Sequence, residues 1–227
     1  MALLRRRLAG GLRQRRALGH DRRGARDRIG EIEVADRGMQ RRLVGGAAES
    51  RELQTAGHGD LVARYSEVLA RALGLSSEET ADLVYAARVH DVGKIFVAEQ
   101  ILNKPGPLSD QDFFQVKLHA HIGAEIVGTI PRSDMMRQAI EHHHQRFDGS
   151  GYPDGLRGEE IPLWARIIGL TDAYANMVTE QSFSAARTPD QALDELAKMS
   201  GTRFDGMLVR LLFRSLKAER MSPNAGM

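Results

Sequence analysis

Residues 76–94 read SSEETADLVYAARVHDVGK, and this stretch carries both the fold class and the chemistry of the chain. Ser76 and Ser77 are residues that cap helix N-termini, and Glu78 and Glu79 place negative charge where a helix dipole favours it. Leu83, Val84 and Ala87 then recur at helical spacing. The predicted helix runs on through His90-Asp91 and breaks at Gly93. The last five residues, His90-Asp91-Val92-Gly93-Lys94, set an imidazole, a carboxylate and an ammonium side by side at the end of an apolar helical pattern.

The same pattern continues in both directions. Upstream, Leu61, Val62, Tyr65, Val68, Leu69 and Ala72 mark a helix from about Gly59 to Leu73, and Gly74 is a natural stop. Downstream, residues 95–108 contain Pro105-Gly106-Pro107 and read as a loop. Ser109-Asp110-Gln111-Asp112 resembles a capping box and opens a helix through about Val127. Pro131 separates it from a helix over about Ser133 to His144. A Gly/Pro-rich loop follows from Phe147 to Pro162, long enough inside a folded domain to suggest function. Three more helical patterns cover about 163–179, 189–200 and 205–218. The expectation is an all-α helical bundle over residues 47–220, behind an arm of residues 1–46 and ahead of a flexible tail, 221–227.

Composition removes several alternatives. The chain of 227 residues has no cysteine, which excludes disulfides, thiolate metal sites and cysteine nucleophiles. No apolar run approaches the length of a membrane span, and the basic opening MALLRRRLAGGLRQRR lacks the apolar run of a secretory signal. The expected compartment is the cytoplasm. The net charge of +2 hides an asymmetry: residues 1–42 hold thirteen Arg and five acidic residues, a balance of +8, and the rest of the chain carries −6. Such an arm reads as a poorly ordered basic extension. It has no Phe, Tyr or Trp to stack on bases, so nucleic acid is not the expected partner.

The chain has eight histidines, and most fall in or between two places. One is His90-Asp91. The other is His142-His143-His144, followed by Asp148-Gly149-Ser150-Gly151-Tyr152-Pro153. Adding His58, His119 and Asp172 gives the imidazole and carboxylate set that suits Fe, Mn or Zn. Asp172 is notable because it sits among Ile167, Ile168, Leu170 and Tyr174, where a carboxylate needs a partner. With Asp91 as a bridge, one metal could take His58, His90 and Asp172 and another His119, His143 and His144. On composition alone, His121 could replace His119. Two divalent ions about 3.5–4 Å apart, sharing a water, are a recurrent device for hydrolysing phosphate esters. Lys94 could offset charge developing on the phosphoryl oxygens.

The segments HDVGK, HAHIGAEIV, HHHQRFDGSGYPDGLRGEEIPLWARIIGLTDAY and GTRFDGMLV resemble the HD-GYP branch of the HD-domain phosphohydrolases. The resemblance spans about Glu49 to Phe213. It implies an HD-domain helical bundle and a bacterial signalling phosphodiesterase acting on cyclic di-GMP, with a pair of divalent ions, Fe or Mn. Carried over position by position, it selects His58, His90, Asp91, His119, His143, His144 and Asp172 as metal ligands. Spacing to Gly123 favours His119 over His121 and leaves His142 as a neighbour. Lys94 matches the family's phosphate-contacting lysine. Asp148, Gly149, Gly151, Tyr152 and Pro153 match the signature loop, which in relatives also serves contacts with signalling partners.

The chain departs from the family at several positions. Gln54 stands where members with a third metal carry a glutamate, so two metals are expected. Gln145 replaces the usual glutamate after the paired histidines, and Ala175 replaces an aspartate. Residues 180–184, Glu-Gln-Ser-Phe-Ser, replace a segment with two arginines that hold the dinucleotide, and arginine matches phosphate in a way glutamine and serine cannot. The metal ligands are thus complete while the substrate contacts have changed. The alternatives to cyclic di-GMP hydrolysis are a module that binds metal or a protein partner without turnover, and a phosphohydrolase of another nucleotide.

Overall fold

The structure is a computed structural model, and it describes residues 57–180 and 185–221 together with Gly38, Arg41 and Arg42. The rest of the basic arm, Gln54, Gln181 to Ser184 and the tail beyond Met221 lie outside the described residues. The chain divides into two units, Met1–Arg41 and Arg42–Met227, and everything below concerns the second.

Eight α-helices follow in order among the described residues: α1 (His58–Leu73), α2 (Ser77–Arg88), α3 (Glu99–Leu102), α4 (Asp110–Gly128), α5 (Asp134–His142), α6 (Leu163–Val178), α7 (Pro189–Lys198) and α8 (Gly206–Met221). No β-strand occurs among the described residues, so the fold is all-α. Local chemistry explains the boundaries. The Ser76 and Ser109 hydroxyls accept from the amides of Glu79 and Asp112, whose carboxylates accept in return from the capping residues' own amides. Thr188 and Gln191 do the same for α7. Gly74 ends α1 in the left-handed conformation.

The helices pack round one apolar core. Helix α1 lies against α2, α6 and α8, α4 against α5, and α5 against α6. Leu69, Leu83, Met136, Ile140, Ile167, Ile168, Leu170, Leu193 and Leu208 are fully buried. A hydroxyl pair, Ser66 with Thr171 at 2.9 Å, links α1 to α6 inside this core. The next residue, Asp172, reaches His58 at the start of α1 at 2.9 Å.

Two boundaries differ from expectation, and both differences make the site. Helix α2 ends at Arg88, so His90 and Asp91 sit in a turn leading into a 3-10 helix, Val92–Phe96. Helix α5 ends at His142, leaving His143 as its cap and His144 beyond it. A histidine past a helix end can turn its ring back onto one of the helix's unsatisfied carbonyls. The expected loop over 95–108 also contains the short helix α3.

Candidate metal centre

Seven side chains converge between the start of α1, the turn after α2, the end of α5 and the middles of α4 and α6. Asp91, His119, His143 and His144 bring one ligand atom each to within 4.8 Å of one another, and so do His58, His90 and Asp91. Asp91 is common to both groups. Asp172 joins the second: its Oδ1 lies 2.9 Å from His58 Nε2 and 3.7 Å from His90 Nε2. Asn176 also donates to that oxygen at 2.8 Å. His121 lies apart, exposed and paired with Glu141. His142 turns away, bonded to the Gln138 carbonyl and facing Asp154 at 3.0 Å.

Ring orientation fixes which nitrogens face inward. His90 Nδ1 donates to the Ala87 carbonyl at 2.8 Å, His119 Nδ1 to Val116 at 2.5 Å, and His143 Nδ1 to Ile140 at 2.5 Å. A carbonyl can only accept, so each Nδ1 carries the proton and, in the neutral ring, each Nε2 presents a lone pair. Those lone pairs meet one another. His119 Nε2 is 3.4 Å from His143 Nε2 and 3.2 Å from His144 Nε2. His119 Nε2 is also 3.2 Å from Asp91 Oδ1, a buried oxygen with no hydrogen-bond partner. Acceptors gathered round an orphaned carboxylate oxygen, away from water, call for a cation. The imidazole and carboxylate set, without sulfur, suits Fe, Mn or Zn, so the residues present fit divalent metal.

The electrostatics agree for His143, His144, Asp91 and Asp172, and His90 differs. Burial, together with His144 and His90, pushes His143 well below the ordinary histidine range; burial and His119 bring His144 down to about 3. Both are neutral, as a histidine that is to hold a metal has to be. Burial opposes the charge on Asp91, yet Lys94 and His90 outweigh it and hold its carboxyl well below the usual range. Asp172 is likewise held low, by His58 and His90 against burial. His90 is disfavoured as a cation by burial, but Asp91 and Asp172 raise it to about 9. Lys94 Nζ lies 2.5 Å from Asp91 Oδ2 at the rim of the site.

Close backbone approach builds this arrangement. A Cβ on Gly93 would stand 2.0 Å from the His119 carbonyl oxygen and 2.7 Å from the Gly123 amide. Only glycine lets the 3-10 helix carrying Asp91 lie directly on α4. The signature loop docks in the same way: a Cβ on Gly151 would stand 2.3 Å from the Arg146 amide and 2.5 Å from the His144 oxygen. Tyr152, joined to Pro153 by a cis peptide, then covers His144 with ring centroids 4.9 Å apart. Asp148 accepts from the amide and hydroxyl of Ser150, shaping the turn that contains Gly149.

Beside the ligands lies a cavity of about 330 Å³, bounded by His143, His144, Tyr152 and Asp172. Phe113, Lys117, Arg146 and Arg203 also line it, and the sequence singled out none of them. The available signals were Lys117 two residues before His119 and Arg203 inside GTRFDGMLV. Gln145 stands on the cavity wall, buried, with both amide atoms lacking a hydrogen-bond partner. Ala175 is fully buried in the core.

Comparison with known proteins fits this geometry. The HD domain family matches residues 40–208. The chain is 37% identical over 188 residues to the cyclic di-GMP phosphodiesterase response regulator RpfG of Xanthomonas campestris, covering 82% of this chain and 50% of that protein. It is 35% identical over 168 residues to the 3'3'-cGAMP-specific phosphodiesterase 2 of Vibrio cholerae, covering 73% of this chain and 32% of that protein. The chain thus spans half or less of the length of these relatives. A solved cyclic GMP-AMP-specific phosphodiesterase of V. cholerae, V-cGAP3, shares the fold with a TM-score of 0.60 at 21% identity, over 78% of this chain and 48% of that one. With its HD pair, paired histidines and GYP loop, the chain belongs to the HD-domain family, in its HD-GYP branch.

Proposed function

We propose that this chain is a metal-dependent phosphodiesterase that hydrolyses a cyclic dinucleotide, cyclic di-GMP first among them, in bacterial second-messenger signalling. One observation carries the reading: Asp91 is shared between two imidazole groups and keeps a buried, unpartnered oxygen between them. His58, His90, Asp91 and Asp172 would hold one divalent ion, and Asp91, His119, His143 and His144 the other. The ligand set accommodates Fe and Mn, the ions that the resemblance to the HD-GYP branch implies. Bound there, the pair supplies Lewis acidity and a water of lowered pKa.

The chain's own residues do the rest. The carbonyls of Ala87, Val116 and Ile140 hold three imidazoles with Nε2 inward, so little reorganisation is needed on binding. Asp91 offers one oxygen toward each group. Lys94, at the rim, supplies positive charge where phosphoryl oxygens gain negative charge. Tyr152 shields His144 from bulk water. The protein would act in the cytoplasm, with the loop Asp148 to Pro153 open to a signalling partner. Among the described residues no helix is long and apolar enough to cross a membrane.

The test is direct. Protein loaded anaerobically with Fe(II) or Mn(II) is mixed with cyclic di-GMP or 3'3'-cGAMP, and products are resolved by chromatography. The expected products are the linear dinucleotide or the mononucleotides. Asp91→Asn is expected to lower metal content and reduce the rate at least 100-fold. An Asp91→Asn protein with the wild-type rate refutes the mechanism. The changed residues 180–184 and Gln145 favour a second reading, a metal-binding module without turnover, which a loaded but inactive wild-type protein would support.

A further inference from the structure

We propose that Lys117, Arg146 and Arg203 form the phosphate-holding wall of the cavity beside the metal ligands, in place of cations on the segment 180–184. This rests on the reading of the site as a cyclic-dinucleotide phosphodiesterase. Such a substrate has two phosphates, and the metal groups can engage only the one being cut. The other needs its own cations, and residues 180–184 hold no Arg or Lys.

The cavity has them. Lys117 projects from α4, its Nζ 4.4 Å from the Phe113 ring centroid and 5.2 Å from that of Tyr152. Arg146 and Arg203 line the same cavity from two other segments. Two backbone bonds bring their segments together: the Phe147 amide donates to the Arg203 carbonyl at 3.1 Å, and Asp148 to Thr202 at 2.8 Å. The Arg203 guanidinium rests over Phe204, 5.1 Å from its centroid.

Among the described residues none of the three cations has a carboxylate in a salt bridge, whereas Arg71, Arg88, Arg137, Arg166, Lys198 and Arg220 do. Arg146 and Arg203 repel each other, Asp148 and Asp172 act on them without forming an ion pair, and a bound anion relieves the repulsion. A second observation points to a ligand. Gln145, only 8% exposed, has neither amide atom hydrogen-bonded, so the same wall offers an unmet donor and an unmet acceptor. A volume of about 330 Å³ accommodates one nucleotide unit. Phe113 and Tyr152, edge-to-face at 6.3 Å, give its base an aromatic edge.

The test compares Arg203→Gln, Arg146→Gln, Lys117→Met and Arg203→Lys with the wild type, all metal-loaded. Calorimetric affinity is measured for the linear dinucleotide, with two phosphates, and for GMP, with one; KM and kcat are measured on cyclic di-GMP. Each charge-removing variant is expected to weaken dinucleotide binding and raise KM about tenfold, with kcat within about twofold and GMP affinity within about threefold. Metal content stays at the wild-type level, and Arg203→Lys recovers part of the loss. Turnover with unchanged KM in all three variants overturns this proposal and leaves the phosphodiesterase reading standing. Binding that the variants weaken, without wild-type turnover, overturns catalysis and supports the wall. A wild type that neither binds nor cuts any dinucleotide overturns both.

Discussion

Replacing Gly93 with alanine tests the geometric core of the site. The added Cβ would stand 2.0 Å from the His119 carbonyl oxygen, 2.7 Å from the Gly123 amide nitrogen and 2.9 Å from the His119 carbonyl carbon. All three are backbone atoms of α4, so no side chain can swing aside. To bring the oxygen contact from 2.0 Å to the 3.0 Å that real Cβ atoms require, the 3-10 helix must move about 1 Å off α4. Overpacking of this kind costs about 1–3 kcal/mol, and an immovable neighbour places Gly93→Ala at the upper end. For a domain of this size the expected loss in Tm is about 6–12 °C. The same movement separates Asp91 from His119, and ligand positions tolerate only about 0.2 Å. Metal content should therefore fall toward one ion per chain, the ion of the group containing His119 being lost. Calorimetry with and without chelator, alongside elemental analysis, reads both effects. Gly128→Ala on the same helix is the control, because its Cβ would meet only the flexible end of Arg137, at 3.3 Å. It should be neutral or stabilising by up to about 1 kcal/mol. Unchanged Tm and full metal content in Gly93→Ala would refute the close-approach argument.

Acid should destabilise the metal-free protein before its carboxylates titrate. His143 and His144 are depressed on folding, the latter to about 3, so below pH 6.5 the unfolded chain binds protons the folded chain refuses. Each then costs up to about 1.4 kcal/mol per pH unit between pH 6.5 and about 4, read from urea midpoints. His90, raised to about 9, acts in the opposite window: the stability it gives below pH 6.5 is lost as pH rises toward 9. A flat profile from pH 6.5 to 4 would contradict this account. Elsewhere, Asp205→Ala strands the Arg166 guanidinium, which is 12% exposed and lies 2.5 Å from Asp205. A loss of about 3–5 kcal/mol is expected, falling well below that in the double variant Arg166→Met/Asp205→Leu.

The helices were legible in the sequence because their ends are written in local chemistry. Ser76 with Glu79, Ser109 with Asp112, and Gly74 each act on atoms within a few residues. The histidines and aspartates of the site were legible as a set, since buried imidazoles and carboxylates cluster for few other reasons. The end of α2 was misplaced because what stops it is tertiary: His90 turns back onto Ala87, and Gly93 seats against His119 and Gly123. The cavity wall was hidden for the same reason. Lys117, Arg146 and Arg203 come from three separate segments, and the two backbone bonds joining residues 147–148 to 202–203 carry no residue-type signal. Equally, the pairing of Arg166 with Asp205 spans thirty-nine positions and leaves no local trace.

The three inward-facing imidazoles share one feature: each is aimed by a carbonyl three residues earlier, of Ala87, Val116 or Ile140. The bond at each Nδ1 is made to the main chain and not to a neighbouring side chain. Main-chain oxygens survive every substitution that leaves the helices standing, so these imidazoles are insulated from drift around them. A residue such as Gln145 can change without tilting a ring. Contacts made by the cavity wall can in this way change while the histidine cluster beneath stays the same.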